Sequence, residues 1–175
     1  RNGALVPVEL TGYTSEHGAV YVMDKGVYAV SFVGKGDFAH LDQYLDMNMA
    51  KTIDDWRAAQ VKYNDIPSVN YIVADSKGGI AYFWNAHMPR RVPGWDRTKI
   101  LPGDISETLW KGWEPAEALP SVIRPKSGYI VNANHSPLLV SGPQDNPKAE
   151  NYPKDFALDT LVTNRGLRAQ ELYGN

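Results

Sequence analysis

The chain contains no cysteine among its 175 residues. That absence removes disulfides, thiolate metal sites and a cysteine nucleophile from this segment, although it leaves the cellular compartment open. No apolar run approaches the roughly 18 residues that a membrane-spanning helix needs. Excess charge of either sign is also lacking, with 18 basic against 20 acidic residues. There is no basic stripe, no interleaving of basic and aromatic residues and no nucleic-acid motif, so a nucleic-acid partner is not expected. Arg1-Asn2-Gly3 offers neither an initiator methionine nor a signal peptide, and the chain reads as a piece of something longer. Glu16-His17 is not a metal motif, and Gly34-Lys35-Gly36 lacks the spacing of a phosphate loop.

What is present is aromatic: five Trp and ten Tyr, enough to line a core or a pocket. The length suits one domain with a sizeable core. Residues 4–33 read as β, with apolar Leu5, Val6, Val8 and Leu10 ahead of a hairpin. That hairpin pairs residues 19–23 with 27–33 across Asp24-Lys25-Gly26. His17, alone before a strand, is expected to be structural rather than catalytic, since a base or ligand needs convergent partners.

Two helices follow. Asp37 is placed to cap the first, whose Phe38, Leu41, Tyr44, Leu45 and Met49 recur at helical spacing and predict a buried stripe. Thr52 is placed to cap the second, with Asp54 and Asp55 in its first turn and Ile53, Trp56, Ala59 and Gln60 or Val61 on its inner face. Met47 and Met49 are expected to pack. A second hairpin is predicted from residues 69–75 and 80–84 around Ser76-Lys77-Gly78-Gly79, with Asp75 bonding the turn backbone. Residues 86–126 are rich in loops: Trp110 and Trp113 are read as clamps, Pro115 opens a short helical turn, and Arg90 and Arg91 are either a carboxylate fork or structural. Residues 138–155 form a polar loop, and 158–172 are helical in pattern.

The chain turns on one segment, Gly128-Tyr129-Ile130-Val131-Asn132-Ala133-Asn134-His135-Ser136-Pro137. Tyr129, Ile130 and Val131 are β-formers, so a strand is suggested. Two readings of the asparagines follow. Either the strand has ended and Asn132 and Asn134 begin a loop, or both amides share one strand face, where an N–H can meet a developing oxyanion.

This segment resembles the Gly-aromatic-Ile/Leu-x-Asn-x-Asn-Asn/Asp-Ser/Thr-Pro segment of penicillin acylases and acyl-homoserine-lactone acylases. Further segments resemble the family in order along about residues 15–172. They include Glu16-His17-Gly18-Ala19-Val20, Asn70 to Tyr82, His87-Met88-Pro89-Arg90-Arg91, Trp110 to Pro120 and Asn164 to Leu172.

The resemblance implies an α+β fold, part of a four-layer αββα sandwich with antiparallel sheets, in which residues 1–175 form one segment of the large catalytic chain. It implies a hydrolase of linear amides whose N-terminal serine attacks the amide carbonyl and whose own α-amine acts as base; that serine lies outside this chain. The asparagine that stabilises the oxyanion maps to Asn134, with Asn132 as a supporting residue. The arginine that orients it maps to Arg165, with Arg168 as the alternative. No cofactor is required, and a structural calcium ion is implied, for which Asp155 is the nearest ligand. Expected partners are an acyl amide substrate, such as a β-lactam antibiotic, an acyl-homoserine lactone or an acyl peptide, together with a small (alpha) chain and the rest of the large chain. The expected location is periplasmic or secreted. The alternative is a non-catalytic binding domain on the same scaffold, with Trp84, Trp95 and Trp113 along a ligand groove.

Overall fold

The computed structural model describes residues 3, 5, 7–34 and 38–173, which divide between two compact units: Arg1–Phe32 with Val92–Trp110, and Val33–Arg91 with Lys111–Asn175.

The smaller unit carries an antiparallel sheet in the order β1 (Tyr13–Ser15), β2 (Gly18–Met23), β3 (Gly26–Val30). The expected hairpin is there. Met23 pairs with Gly26, so the loop is the two residues Asp24 and Lys25, one shorter than read. Gly18 is obligatory: its φ is +137°, and a Cβ would lie 2.1 Å from the Val30 carbonyl oxygen, a contact with main chain that cannot yield. The His17 carbonyl accepts the Ser31 hydroxyl at 2.6 Å, so His17 contributes a backbone group to the hairpin. The strand expected around residues 4–10 does not form at the described positions: Leu5, Val8 and Leu10 are exposed coil. Ala4 and Val6 lie outside the described residues.

The larger unit is built on β4 (Ser68–Ala74), β5 (Ile80–Ala86) and β6 (Ser121–Ile123), antiparallel in that order. Asp75 closes the β4–β5 turn as expected, its Oδ1 accepting the N–H groups of Lys77 and Gly79, each at 2.9 Å. Strand β6 was not foreseen in the loop-rich stretch. It pairs Val122 with Tyr82 and makes β5 the central strand.

Because side chains alternate along a strand, β5 offers two faces, and both are covered. Ala81 and Phe83 meet Met47, Ile53, Trp56, Ala59 and Ile66, with Trp56 stacked on Phe83 at 4.8 Å between ring centroids. Tyr82, on the other face, meets Val122 and Val140, with Ile130 beside them. The asparagine segment is thus footed on the sheet face opposite helix α2 (Ile53–Tyr63).

Helix α2 follows its sequence closely. Thr52 Oγ1 accepts the Asp55 N–H at 3.1 Å, Ile53, Trp56, Ala59 and Gln60 are buried, and Val61 is exposed. Asn64 stops the helix in the left-handed conformation that asparagine tolerates. Helix α1 (Ala39–Met49) does not follow its apolar stripe. Phe38, Leu41, Tyr44, Leu45 and Met49 are exposed, while Gln43 and Met47 are the buried positions. Phe38 occupies the N-cap position with no side-chain bond, and the cap expected at Asp37 lies outside the described residues. The amide of Gln43 explains the inversion. Its Oε1 accepts the N–H groups of Asp65 and Ile66, two backbone donors that burial would otherwise leave unpaired.

Around the loops, Trp113 is half exposed and forms an isolated bridge with Pro89, its ring against His87. His87 Nδ1 is bonded to the Asn64 carbonyl. Arg90 reaches Glu114 at 3.5 Å and the Trp113 carbonyl at 3.2 Å, and Arg91 donates to the Asp155 carbonyl at 2.7 Å. Both arginines therefore brace loops. Pro115 immediately precedes the 3-10 turn Ala116–Ala118, as expected.

Candidate functional site

Residues 125–146 fold into a loop with two limbs. The first limb starts at a Pro125–Gly128 turn whose exposed N–H groups are collected by one carboxylate: Asp145 accepts from Lys126 at 3.1 Å and Ser127 at 2.8 Å. The Ser127 N–H, foremost among these donors, holds the Asp145 carboxyl below its usual range. Ser127 Oγ and Ser141 Oγ lie 2.8 Å apart, and Ser141 donates to the Tyr129 carbonyl at 2.8 Å. Val131 N–H donates to the Val140 carbonyl, also at 2.8 Å, and Asn146 Oδ1 accepts the N–H groups of Val140 and Ser141. Polar side chains replace a strand ladder here, which is why the β-forming run Tyr129-Ile130-Val131 is not a strand.

The tip of the loop holds the asparagines. Asn132 Oδ1 accepts the Asn134 N–H at 2.9 Å, a local turn in which a side chain stands in for backbone, and its Nδ2 donates to the His135 carbonyl at 3.2 Å. Both ends of the Asn132 amide are thus spent within the turn. Asn134 has φ +57°, the left-handed region that asparagine enters more easily than most residues. It is exposed, and among the described residues no hydrogen bond engages its side chain. The shared strand face is therefore corrected: the chain turns between the two asparagines, and the loop alternative is the one observed.

His135 was not singled out from the sequence. It is 3% exposed, its Nδ1 accepts the Ala133 N–H at 3.0 Å, and its Nε2 donates to the Leu139 carbonyl at 2.6 Å. With Nδ1 accepting, Nε2 is the ring's donor. Leu139 also receives the Gln170 amide at 3.0 Å, and Ser136 N–H donates to the Leu161 carbonyl at 3.4 Å. Helix α3 (Asn164–Tyr173) is fastened to the loop through Gln170, and the chain leading into it through Leu161. The only sequence hint of this arrangement was a histidine where the resembled motif has Asn or Asp.

Arg165 lies in the first turn of α3, exposed, and no hydrogen bond joins it to Asn134. The structure brings its helix to the asparagine loop, since the next residue, Gly166, packs on His135. Arg168, the alternative, is paired with Glu171 at 2.8 Å on the solvated face of the helix. Asp155 sits in the 3-10 turn Lys154–Phe156, anchored by buried Phe156, with its side chain exposed. Calcium takes six to eight oxygen ligands. The described residues gather no group of three His, Cys, Asp or Glu side chains, and the Arg91 guanidinium occupies the Asp155 carbonyl.

Comparison with known proteins gives this geometry a context. Over 98% of its length the chain superposes on a solved structure of thermostable penicillin G acylase from Alcaligenes faecalis, with a TM-score of 0.74 and 24% identity, covering 29% of that chain. The chain accordingly shares the fold of that structure, α+β with antiparallel sheets. The penicillin amidase family model matches residues 2–174, and the chain belongs to that family. It is 32% identical to penicillin G acylase of Escherichia coli over 131 residues, 73% of this chain and 15% of the relative. It is 26% identical to aculeacin-A acylase of Actinoplanes utahensis over 195 residues, 94% of this chain and 24% of the relative. The chain therefore spans less than a quarter of these curated relatives.

Proposed function

We propose that the chain is part of an acylase that hydrolyses the amide of an acylated small molecule, using an N-terminal serine supplied from outside this segment. The observation that carries this reading is the Asn134 amide, exposed and unspent at the tip of a loop where the Asn132 amide and the His135 ring are both committed to holding the turn. Oxyanion stabilisation needs a donor that is not already occupied, and here the backbone that carries it is held by the turn.

In this reading the serine hydroxyl adds to the amide carbonyl and its own α-amine takes the proton. The ordinary α-amine pKa of about 7.7–8.0 suits a base near neutrality. Asn134 Nδ2 donates to the oxygen that becomes negative. Collapse expels the amine, which receives the proton, and leaves an acyl ester. Water then adds to that ester with the α-amine again as base, releasing the acid. Asn132 shapes the turn, and Arg165, on the helix fastened to it, is the residue to which the resemblance gives the role of orienting Asn134.

A β-lactam antibiotic, an acyl-homoserine lactone and an acyl peptide are the substrate classes proposed. One methylene more or less in an apolar acyl pocket changes preference by only about 1–3 kcal/mol. The remaining large chain and a small chain are proposed partners, in a periplasmic or secreted protein. Two observations support the chain partners. A relative 39% identical over 66 residues, 38% of this chain and 8% of its own length, is named as the proenzyme of penicillin acylase 2 of Pseudomonas sp. (strain SE83). The outward stripe of Phe38, Leu41, Leu45 and Met49 offers apolar surface for further chain to cover.

N-terminal sequencing with intact mass of the mature parent protein tests the reading. A large chain beginning at Ser, Thr or Cys upstream of Arg1 is expected. An uncleaved chain would favour a non-catalytic binding domain on this scaffold.

A further inference from the structure

The face of α3 nearest the asparagine loop carries a glycine where a helix gains nothing from one. Alanine is the better helix former, so Gly166 needs another reason. A Cβ at Gly166 would lie 2.7 Å from His135 Nδ1, 3.0 Å from its Cγ and 3.3 Å from its Cβ. Gly166 is buried, and its N–H is held by Thr163 Oγ1 at 3.1 Å, so this stretch of helix has little room to retreat. The missing side chain is the seat of the imidazole. The same Nδ1 is the acceptor for the Ala133 N–H, one residue before Asn134. Nε2, across the ring, is fixed to Leu139.

We propose that His135, seated on Gly166, is a positioning residue that holds the Asn134 turn in its left-handed conformation and so aims the Asn134 amide. The proposal rests on the acylase reading above. The ring works as a two-ended strut. Nδ1 pins the start of the tip, Nε2 pins the descending limb, and Gly166 makes room for the strut between helix and loop. Without the Nδ1 acceptor the Ala133 N–H loses its partner, and the backbone that sets the direction of Asn134 is free to rotate.

Three substitutions in the processed parent enzyme separate this role from bulk packing. His135→Phe keeps a ring and removes both bonds. His135→Asn puts Oδ1 close to where Nδ1 stood and retains the acceptor for Ala133. Gly166→Ala improves helix propensity and pushes the ring away. The expected result is kcat lowered on the order of 10- to 100-fold in His135→Phe and Gly166→Ala, the scale of a displacement of about an ångström at a reacting group. KM should stay within about twofold, and His135→Asn should recover most of the kcat.

A purely structural role predicts instead a Gly166→Ala enzyme with unaltered kcat. Folded His135→Phe and Gly166→Ala enzymes that turn over as wild type, while Asn134→Ala is impaired, would overturn the positioning role and leave the acylase reading standing. So would a His135→Asn enzyme as impaired as His135→Phe. An Asn134→Ala enzyme with wild-type kcat would overturn the oxyanion assignment and, with it, any role acting through Asn134.

Discussion

The side-chain amide of Gln43 on α1 donates to Asn85 Oδ1 on β5 across 3.2 Å, with both residues fully buried. Asn85 in turn donates to the Ile66 carbonyl, and Gln43 Oε1 serves the N–H groups of Asp65 and Ile66. One buried amide pair thus satisfies the main chain where α2 passes into β4, and it anchors α1 by a polar rather than an apolar face.

Replacing Gln43 with Leu should therefore destabilise the protein although it adds apolar surface. Two backbone donors and the Asn85 oxygen would be left buried without partners, and each such group costs about 1–3 kcal/mol. A loss of at least about 3 kcal/mol is expected in denaturant unfolding of the parent protein. A neutral or stabilising effect would mean that water reaches this pair.

The cap of α2 offers a milder test. Thr52→Ala removes the acceptor for the Asp55 N–H and should cost about 1 kcal/mol, whereas Thr52→Asn should stay within a few tenths. Equal losses from both in thermal unfolding would shift the explanation away from the cap.

Acid should loosen the β4–β5 turn and the base of the asparagine loop together. Asp75 is held below the ordinary carboxylate value of 3.8, chiefly by the Gly79 N–H, and Asp145 likewise by that of Ser127. A carboxyl whose folded pKa is depressed contributes stability that is present above its unfolded pKa and is lost as the pH falls through the folded value. Stability from these two groups should be level above about pH 5 and decline from about pH 4 downward. Asp75→Asn should flatten part of that decline in thermal midpoints measured between pH 7 and pH 3. An unchanged profile would remove Asp75 as a contributor.

How far the sequence led depends on where the deciding interaction sits. Both hairpins were legible because their turns are local: Asp24-Lys25 and Asp75 to Gly79 carry their own backbone chemistry. Helix α2 was legible because its cap and inner face agree. The face of α1 was not, since an apolar stripe records which surface favours burial, whereas Gln43 answers to donors at Asp65 and Ile66, some twenty residues away. At the site, the Asn132–Asn134 pair was legible as unusual, and the loop alternative was open from the start. His135 and Gly166 were hidden because their meaning is mutual. A glycine 31 positions downstream looks like a weak helix residue until the ring it accommodates is placed beside it.

The central claim is that the Asn134 amide stabilises the oxyanion of amide hydrolysis, and the most direct measurement is the turnover of an Asn134→Ala parent enzyme on an acyl amide it normally cleaves. The account predicts a folded, self-processed protein with KM little changed and kcat lowered roughly 10²–10³-fold, the usual cost of removing one such donor. A folded, processed variant with wild-type kcat would contradict it.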